Sequence, residues 1–270
     1  MGLLSNFSIL LALPAFAALF AAAAVAAHSL LRLVLPPPER LSENHEVAGF
    51  IMGVVGVLYS VVLGFLVGTV WTAFASAQQT MDLEAGYVGD AFGFASVIDA
   101  LQKRELERLI ARYALDVRNA PSPAGSTAEQ TRTGALLRQA VGVTLSLTAR
   151  KGASSAAILQ LDGIRSELLD TLRKLADARR LRIVQSQSRL PQGMLEALIL
   201  GAALVTAFSL LFGVKSYAKQ MAMTALLAGS IGLFFGLVIE MSTPYSGAIQ
   251  VSRASFNVVI DNNHLADFAK

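Results

Sequence analysis

The sequence predicts an all-α fold: a four-pass helical membrane protein with a helical polar domain inserted between its second and third membrane helices. Three observations predict it. The 270 residues are 54% hydrophobic and only 15% charged, against roughly 25% charged in a soluble globular chain. The charges are uneven, because residues 76–190 hold 16 of the 22 Lys and Arg and 12 of the 19 Asp and Glu. Four stretches, 7–31, 48–75, 192–214 and 220–241, carry the about 20 apolar residues that a bilayer crossing needs. The chain thus divides into a first membrane helix pair (1–75), a helical polar domain (76–190), a second pair (191–241) and an amphipathic C-terminal tail (242–270). With no cysteine, a disulfide framework, thiolate metal sites and thiol nucleophiles are excluded. A net charge of +3 gives no reason to expect nucleic acid as a partner.

The first stretch imitates a secretory signal at Ala24-Val25-Ala26. No Lys or Arg precedes the run, however, and apolarity resumes through Leu30, Leu31, Leu33, Val34 and Leu35, so a retained helix is expected. Pro36-Pro37-Pro38 ends it, since three missing donors and fixed φ cannot continue a helix. Four passes leave two short loops on one side, carrying Arg32, Arg40, Lys215 and Lys219. Arg179, Arg180, Arg182, Arg189 and Arg253 lie on the other, and the near balance leaves orientation open.

The second pass carries the most pattern. Gly49, Gly53, Gly56, Ser60, Gly64 and Gly68 recur every three or four residues, a small-residue stripe of the kind that lets membrane helices pack closely. Beside it Val57, Val61 and Phe65 stand at i, i+4 and i+8. Such an apolar ridge faces lipid, packs as core, or rings an axis as a hydrophobic constriction that gates by dewetting. Periodicity alone does not choose among these.

Between residues 76 and 190 the apolar positions keep helical spacing: Val97, Ile98, Leu101, Leu109, Ile110, Tyr113 and Val117, then Ile158, Leu161, Ile164, Leu168, Leu172 and Leu175. Pro121-Ser122-Pro123-Ala124-Gly125-Ser126 is a turn, and a shorter helix is expected from about Gln130 to Ala149, with Lys151-Gly152 at its end. The domain is expected to continue the second and third membrane helices outward. Arg104, Arg108 and Arg112 stack on one helix face. They form either a solvated face or a positive lining for an anion vestibule. After the turn Pro244-Tyr245-Ser246-Gly247, the tail resumes helical spacing with Val251, Phe256, Val259, Ile260 and Leu265. It is too short and polar to span, so it lies on the membrane surface or packs back on the bundle.

His28, His45 and His264 are too scattered to form a metal triad, so no metal and no cofactor is expected. No P-loop, Rossmann fingerprint, H-E-x-x-H or G-x-S-x-G occurs, which argues against an enzyme. Glu196 and Glu240 lie near the ends of spans, where anchoring at the interface is the commoner role.

Ser60-Val61-Val62-Leu63-Gly64-Phe65-Leu66-Val67 resembles the second membrane helix of the bestrophin anion channels. The wider pattern resembles the bacterial bestrophin-like family: Asn44 with Gly49, Val57 and Tyr59, Trp71, Glu84-Ala85, and Pro244-Tyr245-Ser246-Gly247. The resemblance implies a homopentamer in the cell membrane, with the second helix lining an axial pore for small anions such as chloride. It further implies that the helical domain and both termini are cytoplasmic. The bestrophin neck maps onto Val57, Val61 and Phe65, although the family prefers Ile and Phe where this chain has Val57 and Val61. The acidic calcium clasp of animal bestrophins has no counterpart, so calcium gating is not implied. The alternative is a membrane-anchored helical sensor or scaffold without transport activity. That reading requires a signalling output, which the sequence does not display.

Overall fold

The computed structural model describes residues 2–31, 45–98, 102–149, 152–210 and 216–269. Arg32, Pro36-Pro37-Pro38, Arg40, Asn44, Leu101, Lys151 and Lys215 lie outside the described residues. The fold is all-helical. In chain order the helices are α1 (Gly2–Leu31), α2 (His45–Val97), α3 (Lys103–Asn119), α4 (Thr127–Leu145), α5 (Ser155–Gln187), α6 (Gln192–Leu210), α7 (Tyr217–Met241), α8 (Ala254–Asn262) and α9 (Leu265–Phe268). Among the described residues, α1, α2, α6 and α7 are long and apolar enough to cross a membrane. At 53 residues, α2 far exceeds the about 20 that a crossing consumes.

The chain forms two compact units. The first contains Met1–Phe74, Arg189–Thr243 and Gly247–Ile249; the second contains Ala75–Ser188, Pro244–Ser246 and Gln250–Lys270. Helix α2 is unbroken and contributes its first part to one and its second part to the other.

In the first unit, α1 packs along α7. Close approach is possible because Gly232 and Gly236 lack side chains. A Cβ on Gly232 would stand 2.6 Å from the Phe20 Cβ and 2.7 Å from the Phe16 carbonyl oxygen, and one on Gly236 would stand 2.7 Å from the Phe16 ring. This is small-residue packing of the kind that drives helix association in lipid. Phe235 fills the adjoining space against Phe16 and Phe20, with ring centroids 6.4 and 5.1 Å away. Helix α6 meets α2 at Tyr59, whose ring lies on Gly201 and whose hydroxyl donates to the Leu198 carbonyl at 3.3 Å. Leu66, Val70, Leu198, Phe235, Val238 and Met241 form the buried centre.

In the second unit, the amphipathic α3 buries Leu106, Leu109, Ile110, Tyr113 and Val117. Helix α4 runs from Thr127 to Leu145, earlier at both ends than the spacing suggests. A capping box starts it: the Ser126 hydroxyl accepts from the Glu129 backbone N–H, and the Glu129 carboxylate accepts from the Ser126 N–H at 2.7 Å. That backbone donor holds the Glu129 carboxyl below its ordinary range. The Ser146 N–H turns back to the Gly142 carbonyl and closes the helix before Ala149.

The expected outward continuation holds for α2 and fails for the third pass. Between α5 and α6 the chain leaves helix over 188–191, because Pro191 disfavours helical geometry in the residue before it. The tail folds into the second unit, where Val251, Phe256, Ile260 and Leu265 are buried. Gln78 on α2 pairs with the Ser252 backbone in both directions, accepting from its N–H at 2.6 Å and donating to its carbonyl at 3.2 Å.

Candidate functional site

The apolar ridge of α2 is uncovered. Val57, Val61 and Phe65 are 62%, 65% and 69% exposed, so they are not core of the protomer. The small-residue stripe beside them is open too: a Cβ built on Gly53, Gly56, Gly64 or Gly68 would meet nothing within 4 Å, and Gly49 and Ser60 are exposed. The Ser60 hydroxyl turns back onto its own helix, donating to the Val57 carbonyl at 2.8 Å. A shallow apolar groove of about 410 Å³ runs along this surface, lined by Gly49, Phe50, Gly53, Val54, Val57 and Leu58. Close glycine packing within the protomer occurs instead at Gly201, Gly232 and Gly236.

Arg104, Arg108 and Arg112 are all exposed on α3. Arg112 donates through Nε to the Ala269 carbonyl at 3.1 Å. Their neighbour Glu107 is buried, and that burial raises its carboxyl above the ordinary range despite Lys103 and Arg104 nearby.

The second unit is built around a charged cluster that spacing alone did not single out. Glu84 on α2 and Arg182 on α5 are 0% and 3% exposed. The Arg182 Nε donates to Glu84 Oε2 at 2.7 Å and its Nη2 to Oε1 at 3.1 Å, a bidentate fork. Tyr113 on α3 donates its hydroxyl to Glu84 Oε1 at 2.6 Å. The remaining donor, Arg182 Nη1, serves the carbonyls of Pro123 at 2.7 Å and Ala124 at 3.1 Å. One guanidinium therefore joins α2, α5 and the turn after α3, while one carboxylate joins α2, α3 and α5.

Burial works against the charged guanidinium, yet Glu84 and Tyr113 together outweigh it and hold Arg182 above its ordinary value. Burial, and then the Glu84 charge, push the Tyr113 hydroxyl well up. The Arg182 guanidinium therefore stays charged and the Tyr113 hydroxyl stays protonated throughout the physiological range. The cleft beside Arg182, lined also by Asp116, Glu129 and Thr133, holds about 10 Å³, room for one water at most. Its chemistry is positioning, with no room for a substrate.

A sequence signal for it existed. Leu161, Leu168, Leu175 and Arg182 are seven residues apart, so the arginine continues the buried stripe of α5. A cation on an apolar stripe has to be paired.

The other marks of the resemblance have structural roles. Tyr245 is buried, with its hydroxyl 2.8 Å from Gln185 Oε1 and 3.3 Å from the Ala77 carbonyl, and burial raises its pKa. Gly247 has φ +93°, and a Cβ there would stand 2.8 Å from Glu240 Oε2. The Glu240 carboxylate itself accepts from the Ala248 N–H at 2.7 Å, so it closes the turn. Trp71 is exposed on α2.

Among the described residues no three His, Asp or Glu side chains converge to hold a metal. His28 is buried on α1 beside the Tyr217 ring, and His264 forms the left-handed turn before α9.

Residues 18–256 match the bestrophin-like domain family. No curated protein sequence matches the chain. Among solved structures, the fold is similar to a point variant of a bacterial bestrophin homologue from Klebsiella pneumoniae, with a TM-score of 0.58 and 14% identity, covering 95% of this chain and 97% of that one. Another structure of a bacterial bestrophin homologue from the same organism gives a TM-score of 0.58 and 14% identity over 97% and 98% of the two chains. A crystallised membrane protein variant gives 0.59 and 14% over 95% and 97%.

Proposed function

Since the chain belongs to the bestrophin-like family, we propose that this multi-pass membrane protein is an oligomeric ion channel. Five copies surround an axis, the α2 ridge lines the pore, and small anions such as chloride pass through it. The observation that carries this reading is the exposure of Val57, Val61 and Phe65 on the longest apolar helix of the protomer. Around an axis these side chains become an apolar ring that resists wetting. The open glycine stripe gives neighbouring copies a surface for close approach. The exposed guanidinium groups of Arg104, Arg108 and Arg112 would raise the local anion concentration.

Particle images of the detergent-purified protein test the assembly. Five-fold rings are expected, whereas uniform monomers or dimers would overturn the channel reading and favour a membrane-anchored scaffold. On this reading the helical domain and both termini lie on the cytoplasmic face of the cell membrane. A reporter active only outside the cytoplasm, fused after Lys270, is therefore expected to stay silent, and a signal from it would reverse the topology.

A further inference from the structure

Helix α1 carries one ionisable side chain in an otherwise uncharged run. From Gly2 to Leu31 it has no Asp, Glu, Lys or Arg, and its only histidine is His28. That imidazole is 4% exposed. Such a group is costly inside a bilayer and is kept where it serves a function.

The packing of α1 on α7 sets its position. Phe16, Phe20, Ala24 and His28 stand four residues apart, and α1 meets α7 along that line. Phe16 lies on Gly236 and Phe20 on Gly232, while the His28 ring is 6.5 Å from that of Tyr217. The two sets of numbers run in opposite senses, so the helices are antiparallel and His28 sits where α7 begins. The contact changes character there. Phenylalanine against glycine gives way to polar groups, with Gln220 and Thr224 buried on α7. The Ser29 hydroxyl donates to the Val25 carbonyl at 2.8 Å, which leaves its oxygen to accept from the Tyr217 hydroxyl at 3.0 Å.

Few other titratable groups belong to this unit. Tyr217 faces His28 from α7. Lys219 is exposed, and by helical spacing it lies roughly 100° to 160° round from Tyr217, Gln220 and Thr224. Glu240 stands at the far end of α7, α6 carries Glu196, and the first part of α2 carries His45, Glu46 and Tyr59.

We propose that this end of the α1–α7 pair is a pH-sensitive latch with His28 as its switch. Imidazole is the side chain that ordinarily changes charge between about pH 5 and 8. Neutral, it packs between the helices beside Tyr217. Charged, it is far better accommodated in water than between two apolar helices. Acid therefore favours the undocked end, by up to about tenfold per pH unit for a single proton. Phe20 packs on the same buried cluster of Ala202, Val205 and Ile231 as Met52, Val55 and Tyr59 of α2. Movement of α1 thus reaches the helix that carries the apolar ridge. On the topology proposed above, the latch reads the pH on the side of the membrane away from the cytoplasm.

The chain has no cysteine, so Leu30→Cys with Met223→Cys supplies two sites for spin labels, both exposed. The full-length protein is reconstituted in phosphatidylcholine nanodiscs, with labelled chains diluted among unlabelled ones. Double electron-electron resonance then reads the distance between α1 and α7 across a pH series from 8 to 5. A single distance is expected at pH 8 and a longer population at pH 5. His28→Gln and His28→Asn, neutral throughout, are expected to keep the pH 8 distance. A distribution that does not change with pH while His28 is present would overturn the latch. So would a change that persists in either neutral variant, or one whose midpoint falls outside about pH 5 to 8. None of these readings requires conduction, so the latch and the channel reading fail separately.

Discussion

Arg182→Met is expected to destabilise the helical unit by about 3 to 5 kcal/mol, the usual penalty for removing one partner of a buried ion pair. The loss is large because the guanidinium serves three partners. Without it the Glu84 carboxylate keeps only the Tyr113 hydroxyl, and the Pro123 and Ala124 carbonyls lose their donor. Thermal unfolding of purified protein, followed by far-ultraviolet circular dichroism, reads the change. Its magnitude comes from stranding a charge, so Glu84→Leu combined with Arg182→Met should recover much of it, as apolar replacement of a whole buried pair often does. A loss below about 1 kcal/mol in the single variant would mean that water reaches the pair, in the range typical of surface salt bridges.

The combined Val57→Ala, Val61→Ala, Phe65→Ala variant is expected to raise ion flux in liposomes. If truncation lowers the cost of wetting the ring by about 1.4 kcal/mol, roughly the transfer cost of two methylene groups, flux rises about tenfold. These side chains are exposed in the protomer, so their truncation opens no cavity within one chain. That leaves two competing outcomes. Unchanged flux in a well-assembled protein would assign the ridge to lipid and sink the neck, even for a pentamer. Loss of the oligomer with the fold retained would assign it to packing between copies.

The two experiments probe features that differed in legibility. The ridge was readable as a pattern, since four-residue spacing on an apolar helix is visible in the order of residues alone. The buried pair was legible only by half, since seven-residue spacing sets Arg182 on the buried stripe of α5 but points to no partner. Arg182 counted only as one basic residue among several near the third pass, and Tyr113 only as one position of an apolar face. Their partner Glu84 is 98 positions from Arg182 and 29 from Tyr113, beyond the reach of any local period. The glycines divide in the same way. The stripe on α2 has the more regular spacing, yet Gly232 and Gly236 on α7 are the ones with a neighbouring helix against them.

The sequence by itself determined the helical class, the four membrane crossings, the polar insert between the second and third, and membership of the family. These follow from composition, run length and period, which bilayer thickness and backbone hydrogen bonding convert directly into helices that cross or stay outside. Only the tertiary structure decided which charges are buried and paired, and which small residues are closely packed. Those outcomes depend on what comes to lie opposite each side chain when distant segments meet. A residue's type shows what it needs from a neighbour, and only the fold decides which neighbour it gets.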